Sequence, residues 1–294
     1  MKIGASSFIW VSPFSNETLD LAEKVRTMGF DILEVCVEDP QTIDIERTRE
    51  ALDRFYLGAT ICGAFGPNRD ASSEDPAIRG QAADYIKACV KIAKGIGSPV
   101  VAGPMYSAVG KTRLLDKAAR DRQWALAVGT LKAAADYAGQ EGIKLAIEPL
   151  NRFETDFINT VEQGLDLVSR IDKANVGLLL DTFHMNIEEK DWAAAIRQAG
   201  DKILHFHMCE NDRGTPGTGL VNWLAVRDAL REVRYQGPGI IEAFTTDIKE
   251  IARAVSLWRP LASDQDSLAR TGLQFLKKLF ADQRRTHPAA GNDL

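Results

Sequence analysis

Four side chains of types that bind metal ions stand at the ends of four successive apolar runs. Glu148 ends KLAIE, Asp181 ends VGLLLD, His207 lies near the end of ILHFHM, and Glu242 ends GIIE. By subtraction, the steps between them are 33, 26 and 35 residues, each close to one strand–helix unit. A carboxylate that ends an apolar strand is costly to bury without a partner. Three carboxylates with one imidazole suit Mn²⁺, Mg²⁺ or Co²⁺ better than the thiolate-rich sets that hold structural zinc.

A single carboxylate of this kind is often only salt-bridged or partly solvated. Four such groups on consecutive strands are better explained by a metal site than by chance. The strand of His207 also contains His205. We expect one of these two histidines to face the barrel interior and the other the helices. This makes His207 the ligand and His205 a hydrogen-bonded packing residue.

The chain alternates short apolar runs with longer stretches of helical spacing, which is typical of βαβ units and a parallel sheet. The predicted strands are Lys2–Phe8, Ile32–Val37, Gly58–Ala64, Pro99–Ala102, Lys144–Ile147, Val176–Leu180, Ile203–Met208 and Gly239–Ala243. The predicted helices are Thr18–Met28, Ile45–Phe55, Ala77–Ile96, Arg120–Glu141, Val161–Ile171, Trp192–Ala199, Trp223–Val233 and Ile248–Phe280. Eight units in about 250 residues favour a closed (β/α)₈ TIM barrel of the α/β class over the alternative, an open doubly wound sheet.

The composition is that of an ordinary globular protein. The 294 residues are 45% hydrophobic and 26% charged, with a net charge of -5, and this acidic balance opposes a nucleic-acid partner. Four widely spaced cysteines without a CxxC pair indicate reduced thiols. We find no signal peptide and no apolar run long enough to span a membrane. We therefore expect a cytoplasmic protein with one catalytic domain over residues 1–294, in which residues 283–294 form a flexible tail.

The motifs of strands five to eight resemble the D-tagatose 3-epimerase family, which includes the D-psicose (D-allulose) and L-ribulose 3-epimerases. The segments that carry the resemblance are IEPLNRFET, LLLDTFHMNIEE, HFHMCENDRGTPGTG and IEAF. The family belongs to the sugar isomerase/epimerase TIM barrels. The resemblance implies a ketose substrate and one divalent metal ion per subunit, Mn²⁺ first, with Co²⁺ or Mg²⁺ as alternatives. It also implies a homodimer or a homotetramer.

The same motifs imply a role for each site residue. The residues that match the metal ligands of the family are Glu148, Asp181, His207 and Glu242. The residues that match or lie near its sugar-binding positions are Glu154, His184, Arg213, Phe244, Phe8, Trp10 and Cys62. The loop after strand four departs from the pattern, because many psicose epimerases have a tryptophan where this chain has Met105, Tyr106 and Ser107. The preference at C4–C6 of the sugar is therefore left open.

These residue types predict proton transfer beside a carbonyl group. Removing the C3 proton of a ketose requires stabilisation of a cis-enediolate, which a divalent ion supplies as a Lewis acid. Glu148 and Glu242 are the predicted pair of bases, one on each face of C3. Arg213 and His184 are predicted to hold O1 and O2. The chain has no Gly-rich phosphate-binding motif, which favours a free ketose over a sugar phosphate.

Other functions share this barrel and this kind of site. A hydroxypyruvate isomerase-like or inosose dehydratase-like enzyme abstracts a proton in the same way, and the metal site alone does not separate them. An AP-endonuclease-like nuclease uses more histidines than the four of this chain. A non-catalytic sugar-binding protein would have no need of the full set of acid, base and metal groups. The first prediction is therefore a ketose 3-epimerase.

Overall fold

Eight parallel strands close into a barrel in chain order in the computed structural model, which describes residues 1–281. The strands are β1 Ile3–Ser6, β2 Ile32–Val37, β3 Gly58–Gly63, β4 Val100–Gly103, β5 Lys144–Ile147, β6 Val176–Asp181, β7 Ile203–His207 and β8 Gly239–Ile241. The barrel closes where β8 pairs with β1. The predicted (β/α)₈ fold is confirmed. The tail expected over residues 283–294 lies outside the described residues.

Helices follow the strands around the outside of the barrel. Within residues 1–281 they are α1 Leu21–Met28, α2 Ile45–Arg54, α3 Pro76–Ile96, α4 Lys117–Gln140, α5 Val161–Ile171, α6 Thr182–Glu188, α7 Trp192–Ala199, α8 Trp223–Glu232, α9 Lys249–Ala254 and α10 Gln265–Ala281. Many begin where a side-chain oxygen accepts a backbone N–H of the first turn. The residues that cap α2, α3, α4, α5, α7 and α8 in this way are Asp44, Asp75, Asp116, Thr160, Asp191 and Asn222. No helix in this part of the chain has the length and apolarity needed to cross a bilayer.

One predicted helix was wrong and one helix was missed. The segment Ile248–Phe280 was predicted as one helix, but α9 ends at Ala254 and α10 begins at Gln265. Ser256 has a φ of 56° and Pro260 lies in the same gap, and both features oppose a continuous helix. Helix α6 was not predicted at all. It begins directly after Asp181, whose side chain accepts the N–H of Phe183 at 2.7 Å.

The apolar core lies on both faces of the sheet. Successive side chains of a strand point to opposite faces. Accordingly, Val101 of β4 belongs to the large cluster that packs against the helices. Its neighbours Val100 and Ala102 belong to a smaller cluster with Ala146 and Leu179. Apolar side chains of this smaller cluster therefore fill the barrel interior. The polar groups at the carboxyl ends of the strands lie directly above this apolar layer.

Candidate active and metal site

The carboxyl ends of β5 to β8 bring the predicted metal ligands together. Asp181 and His207 are register partners across β6 and β7. Glu148 follows directly after β5, and Glu242 directly after β8. All four side chains belong to buried residues. Because the carboxyl ends of the strands meet at one rim of the barrel, the four groups converge there.

The imidazole of His207 lies beside two of the acids. Its Nδ1 atom lies 3.4 Å from Oε2 of Glu242 and 3.8 Å from Oδ2 of Asp181. Glu148 joins the group through His184, whose Nε2 is 3.6 Å from Oε1 of Glu148 and 3.9 Å from Oδ2 of Asp181. Three groups of side chains among residues 1–281 are close enough to share an ion, and Asp181 belongs to two of them. One contains His207, Cys209 and Glu242, and the other contains Glu148 and His184.

The donor set fits a divalent cation. Nδ1 of His207 is buried and has no hydrogen-bond partner among residues 1–281. Leaving such a nitrogen unpaired is costly, yet it faces two carboxylates and not apolar side chains. A neutral imidazole and several carboxylate oxygens form a set that suits Mn²⁺, Co²⁺ or Mg²⁺.

Arg213 offsets part of the negative charge of these acids. Its Nη1 donates to Oδ2 of Asp181 at 2.7 Å and also to Oε2 of Glu242. The guanidinium carbon lies 4.3 Å from the ring centroid of Phe183 and 5.0 Å from that of Phe244. Two aromatic rings and two carboxylates therefore hold the guanidinium in place.

The two predicted bases have pKa values displaced in opposite directions. Burial raises the pKa of Glu148 well above its ordinary value; His207 and Arg213 act to lower that pKa, and the charges of Glu242 and Asp181 act to raise it. Burial also acts to raise the pKa of Glu242, but Arg213 and His207 outweigh it and lower that pKa. The two carboxyl groups therefore differ in their affinity for a proton, as a general acid and a general base do.

A cavity of about 290 Å³ opens beside these residues, near the lower end of the range for small-molecule sites. Six of the seven predicted substrate-binding residues line it: Glu154, His184, Arg213, Phe244, Phe8 and Cys62. Trp10 stands outside this lining. Its indole N–H donates to Asp266 of α10 at 2.8 Å. This hydrogen bond ties the segment after β1 to α10.

Asn151, which was not predicted, connects two of the cavity residues. Its backbone N–H donates to Nδ1 of His184 at 3.0 Å, and its side-chain amide donates to Oε1 of Glu154 at 2.8 Å. On the other side of the ring, Nη2 of Arg213 lies 3.0 Å from Nε2 of His184. Burial and the charge of Arg213 lower the pKa of His184. His184 is thus a fixed, neutral imidazole at the wall of the cavity.

The prediction that His205 faces the helices was wrong. Residues two apart on a strand project from the same face, so His205 and His207 both point into the barrel, where each meets Glu34. The expectation that His205 is a hydrogen-bonded packing residue is confirmed, because its Nε2 lies 2.6 Å from Oε2 of Glu34. Glu34 itself was missed. Its signal was a lone acidic residue inside the apolar run ILEVCV, a position that requires partners.

A second and larger cavity, of about 590 Å³, lies at the opposite end of the barrel. Its lining includes residues from the amino ends of several strands, such as Lys2, Gly58 and Lys144. It contains none of the converging acids described above. Catalytic groups of TIM barrels stand at the carboxyl ends of the strands, so we assign the site to the smaller cavity.

Comparison with known proteins agrees with this geometry. The profile of a family described as a xylose isomerase-like TIM barrel matches residues 22–279. A probable ketose 3-epimerase from Synechocystis sp. is 32% identical over 280 residues, covering 95% of this chain and 97% of the relative. An L-ribulose 3-epimerase from Methylomonas sp. is 31% identical over 284 residues, covering 95% and 98% of the two chains.

A solved structure extends the similarity to three dimensions. The D-allulose 3-epimerase from Methylomonas sp. in complex with D-allulose superimposes with a TM-score of 0.89 at 30% identity, covering 95% of this chain and 96% of that one. The chain belongs to the xylose isomerase-like TIM-barrel family and, within it, to the ketose 3-epimerases. These are isomerases that act on carbohydrates.

Proposed function

We propose that the chain is a divalent-metal-dependent 3-epimerase that inverts C3 of a free ketose of the D-tagatose, D-psicose, D-fructose or L-ribulose type. One observation carries this proposal. Glu148 and Glu242 reach one small cavity from β5 and β8, and their pKa values are displaced in opposite directions. Inverting a carbon beside a carbonyl requires an acid and a base on opposite faces of that carbon.

The proposed metal ligands are Glu148, Asp181, His207 and Glu242. The unpartnered Nδ1 of His207, directed at buried carboxylates, supports this assignment. A bound divalent ion would act as a Lewis acid that stabilises negative charge on the sugar oxygens. Mn²⁺ is the first candidate, with Co²⁺ or Mg²⁺ as alternatives.

The proton transfers are assigned to the two glutamates. The ionised Glu242 removes the proton from C3, and the two electrons of the C–H bond become part of a cis-enediolate. The protonated Glu148 then delivers its proton to the opposite face of C3, which inverts the configuration. In the reverse reaction the two residues exchange roles, so both directions use the same pair.

The remaining cavity residues are proposed to bind the sugar. Arg213 and His184 hold O1 and O2 of the ketose and stabilise charge that develops there. Glu154, which Asn151 orients through a hydrogen bond, accepts a hydrogen bond from a hydroxyl group of the sugar. The rings of Phe8 and Phe244, whose centroids are 6.4 Å apart, form an apolar wall, and Cys62 lies on the floor.

The resemblance also supports an assembly and a location. We propose a homodimer or homotetramer of one catalytic barrel in the cytoplasm. Light scattering coupled to size-exclusion chromatography measures the number of subunits in the assembly directly. A monomer at micromolar concentration contradicts the proposed assembly but leaves the proposed chemistry intact.

Product analysis tests the proposed reaction. Purified enzyme, stripped of metal and reloaded with Mn²⁺, is incubated with a panel of ketoses and inososes. A new ketose epimeric at C3 is the expected product, whereas an aldose indicates an isomerase and a dehydrated product a dehydratase. No turnover with any sugar or metal indicates a binding protein.

Two matched aspartate variants complete that experiment. D181N removes a proposed metal ligand and is expected to abolish turnover. D166N alters an exposed aspartate of α5 that pairs with Arg170 and is expected to leave turnover unchanged. Full activity in D181N would contradict the assigned ligand set.

A further inference from the structure

We infer that Glu34 of β2 is a positioning residue that fixes the imidazole of His207 for metal binding. This inference rests on the proposed role of His207 as a metal ligand. Glu34 does not line the sugar cavity, so it does not touch substrate. It acts through His207, from within the barrel.

The contacts of Glu34 connect three strands. Its Oε1 lies 2.9 Å from Nε2 of His207 on β7. Its Oε2 lies 2.6 Å from Nε2 of His205 on the same strand and accepts a hydrogen bond of 3.0 Å from the hydroxyl of Thr60 on β3. Glu34 and Thr60 are register partners across β2 and β3. All four residues are at most 1% exposed, so water does not compete for these contacts.

This arrangement selects one tautomer of His207. A neutral imidazole carries a single N–H, and an ionised carboxylate only accepts hydrogen bonds. In the metal-free chain burial acts to lower the pKa of His207, but the neighbouring acids, Glu34 first, outweigh it and raise that pKa. The 2.9 Å contact between Oε1 and Nε2 is an ion-pair contact without hydrogen-bond geometry. When a metal ion occupies Nδ1, the ring keeps a single N–H on Nε2, and Oε1 of Glu34 is the acceptor beside it. The lone pair is then left on Nδ1, the atom that faces Glu242 and Asp181 at 3.4 and 3.8 Å. Without Glu34, the N–H at Nε2 of His207 loses the acceptor that stabilises it there.

His205 and Thr60 hold the carboxylate in turn. Both contact Oε2, which leaves Oε1 for His207. The carboxylate plane is thus set by two neighbours before the metal ligand is considered. Partners of this kind behind a metal-bound histidine contribute roughly 10- to 100-fold in metal affinity.

The test compares two variants of this network in the folded protein. E34Q preserves the shape of the side chain but replaces the acceptor-only carboxylate with an amide that also donates. T60V removes the hydroxyl that contacts Oε2 and leaves Oε1 and His207 in contact. We expect Mn²⁺ to bind E34Q about 10- to 100-fold more weakly than wild type. We expect T60V to bind it within about threefold of wild type, because His205 still holds Oε2 of Glu34 and Oε1 still faces His207.

Free Mn²⁺ measured by electron paramagnetic resonance gives the affinity, and circular dichroism confirms that each variant is folded. Nitrogen-15 spectra of histidine-labelled protein with Mg²⁺ give the tautomer directly, with the His207 signal assigned by its loss in H207N. The expected wild-type signal is a single Nε2–H. At the Mg²⁺ concentration that saturates wild type, E34Q is expected to show a weaker Nε2–H signal, because a smaller fraction of the variant holds the ion.

The outcomes separate this inference from the proposed function. If wild type binds no divalent ion, the proposed metal site fails. If wild type binds Mn²⁺ and folded E34Q binds it equally well with an unchanged tautomer, the role of Glu34 is overturned. If E34Q does not fold, E34D carries the same test, because it retracts the carboxylate from His207 by one methylene. Weaker binding by folded E34D supports the role, and wild-type affinity overturns it.

Discussion

Arg213 is the residue on which several contacts of the site converge. It donates to Asp181 and Glu242 through Nη1, and its Nη2 lies against His184. Burial lowers its pKa, but the charges around it, Asp181 first, outweigh this and raise the pKa. It is therefore a permanent cation among acids, and its planar shape matters as much as its charge.

Replacing Arg213 with lysine tests the importance of that shape. R213K keeps the charge but loses the fork that reaches two carboxylates and an imidazole at once. We expect kcat/KM for the preferred ketose to fall by about 10²- to 10³-fold, measured by chromatography of the two epimers. R47K, at an exposed position of α2, serves as the control. A loss below twofold in R213K would remove Arg213 from the proposed machinery.

Residue types carried much of the site prediction. The four proposed metal ligands were recognisable because acidic residues and a histidine ended apolar strands at regular intervals. Glu34 was not recognised because it lies in the middle of a strand, where its partners on β3 and β7 come from distant sequence. Asn151 was missed because it acts partly through its backbone N–H, which no residue type reveals.

At the scale of elements, the connection between β7 and α8 is organised by a buried carboxylate. Glu210 accepts the backbone N–H groups of Asn211, Gly217 and Val221 at 3.1, 2.8 and 2.9 Å. It also accepts the indole N–H of Trp223 at 3.0 Å. This connection contains Arg213, whose φ of 65° is in the left-handed region. Glu210 therefore stabilises the backbone conformation from which Arg213 reaches the acids.

The variant E210Q tests this dependence. The amide accepts through only one oxygen, so at least one buried N–H loses its partner, at a cost of about 1–3 kcal/mol. We expect a lower melting temperature and a fall of more than about tenfold in kcat/KM, since a small misplacement of a catalytic group is costly. E232Q, whose half-exposed carboxylate pairs with Arg197, is the control and is expected to change little. Loss of stability without loss of activity in E210Q would contradict the coupling to Arg213.

An ion pair between Arg152 and Glu188 joins the connection after β5 to α6. Glu188 accepts the backbone N–H and two guanidinium N–H groups of Arg152 at 2.8 to 2.9 Å. Burial raises the pKa of Glu188, but these hydrogen bonds outweigh burial and lower it. A lowered pKa in the folded state contributes stability above the unfolded pKa of about 4.3, and that stability is lost as pH falls through the folded pKa.

The lowered pKa of Glu188 in the folded state determines how the stability of E188Q should depend on pH. We expect E188Q to be less stable than wild type at pH 7 and the difference to narrow as pH falls from about 5 towards 3. Urea unfolding at several pH values gives the difference, with E50Q in an exposed part of α2 as the control. A difference that is constant with pH would show that the Glu188 charge contributes nothing.

The elements themselves were predictable to different degrees. All eight strands were found because their apolar runs are separated by long helical patterns. Helix α6 was missed because only one residue, Asp181, separates it from the strict apolar run of β6, and that residue is also a proposed metal ligand. The break between α9 and α10 was missed because the apolar pattern continues across Pro260.

On the scale of the whole molecule, closing the barrel is what assembles the site. Glu148 and Glu242 are separated by 94 residues, by subtraction of their numbers, yet both line one cavity. Each acid disfavours the others in the absence of a cation, because like charges that share a buried site repel. A divalent ion that binds only the folded chain should therefore stabilise the entire barrel.

Metal removal measures that linkage. At a free Mn²⁺ concentration 100 times the dissociation constant, binding adds about 2.7 kcal/mol to the free energy of unfolding. For a domain of this size the melting temperature should rise by roughly 5–10 °C over the chelator-treated protein. Differential scanning calorimetry detects this, and D181N should show no such rise. Equal melting temperatures with and without metal would argue against a folded-state metal site.

The central claim is that Glu148 and Glu242 exchange the proton at C3 from opposite faces. The most direct measurement is incorporation of deuterium at C3 of the ketose in deuterated water, followed by NMR for wild type, E148Q and E242Q with metal bound. We predict that wild type incorporates deuterium at C3 and forms the C3 epimer. Each folded variant is expected to form no epimer, and E242Q is also expected to lose exchange at C3 of the ketose whose proton Glu242 removes. Epimer formation at the wild-type rate in either folded variant, or wild-type exchange of that ketose in E242Q, would contradict the two-base account.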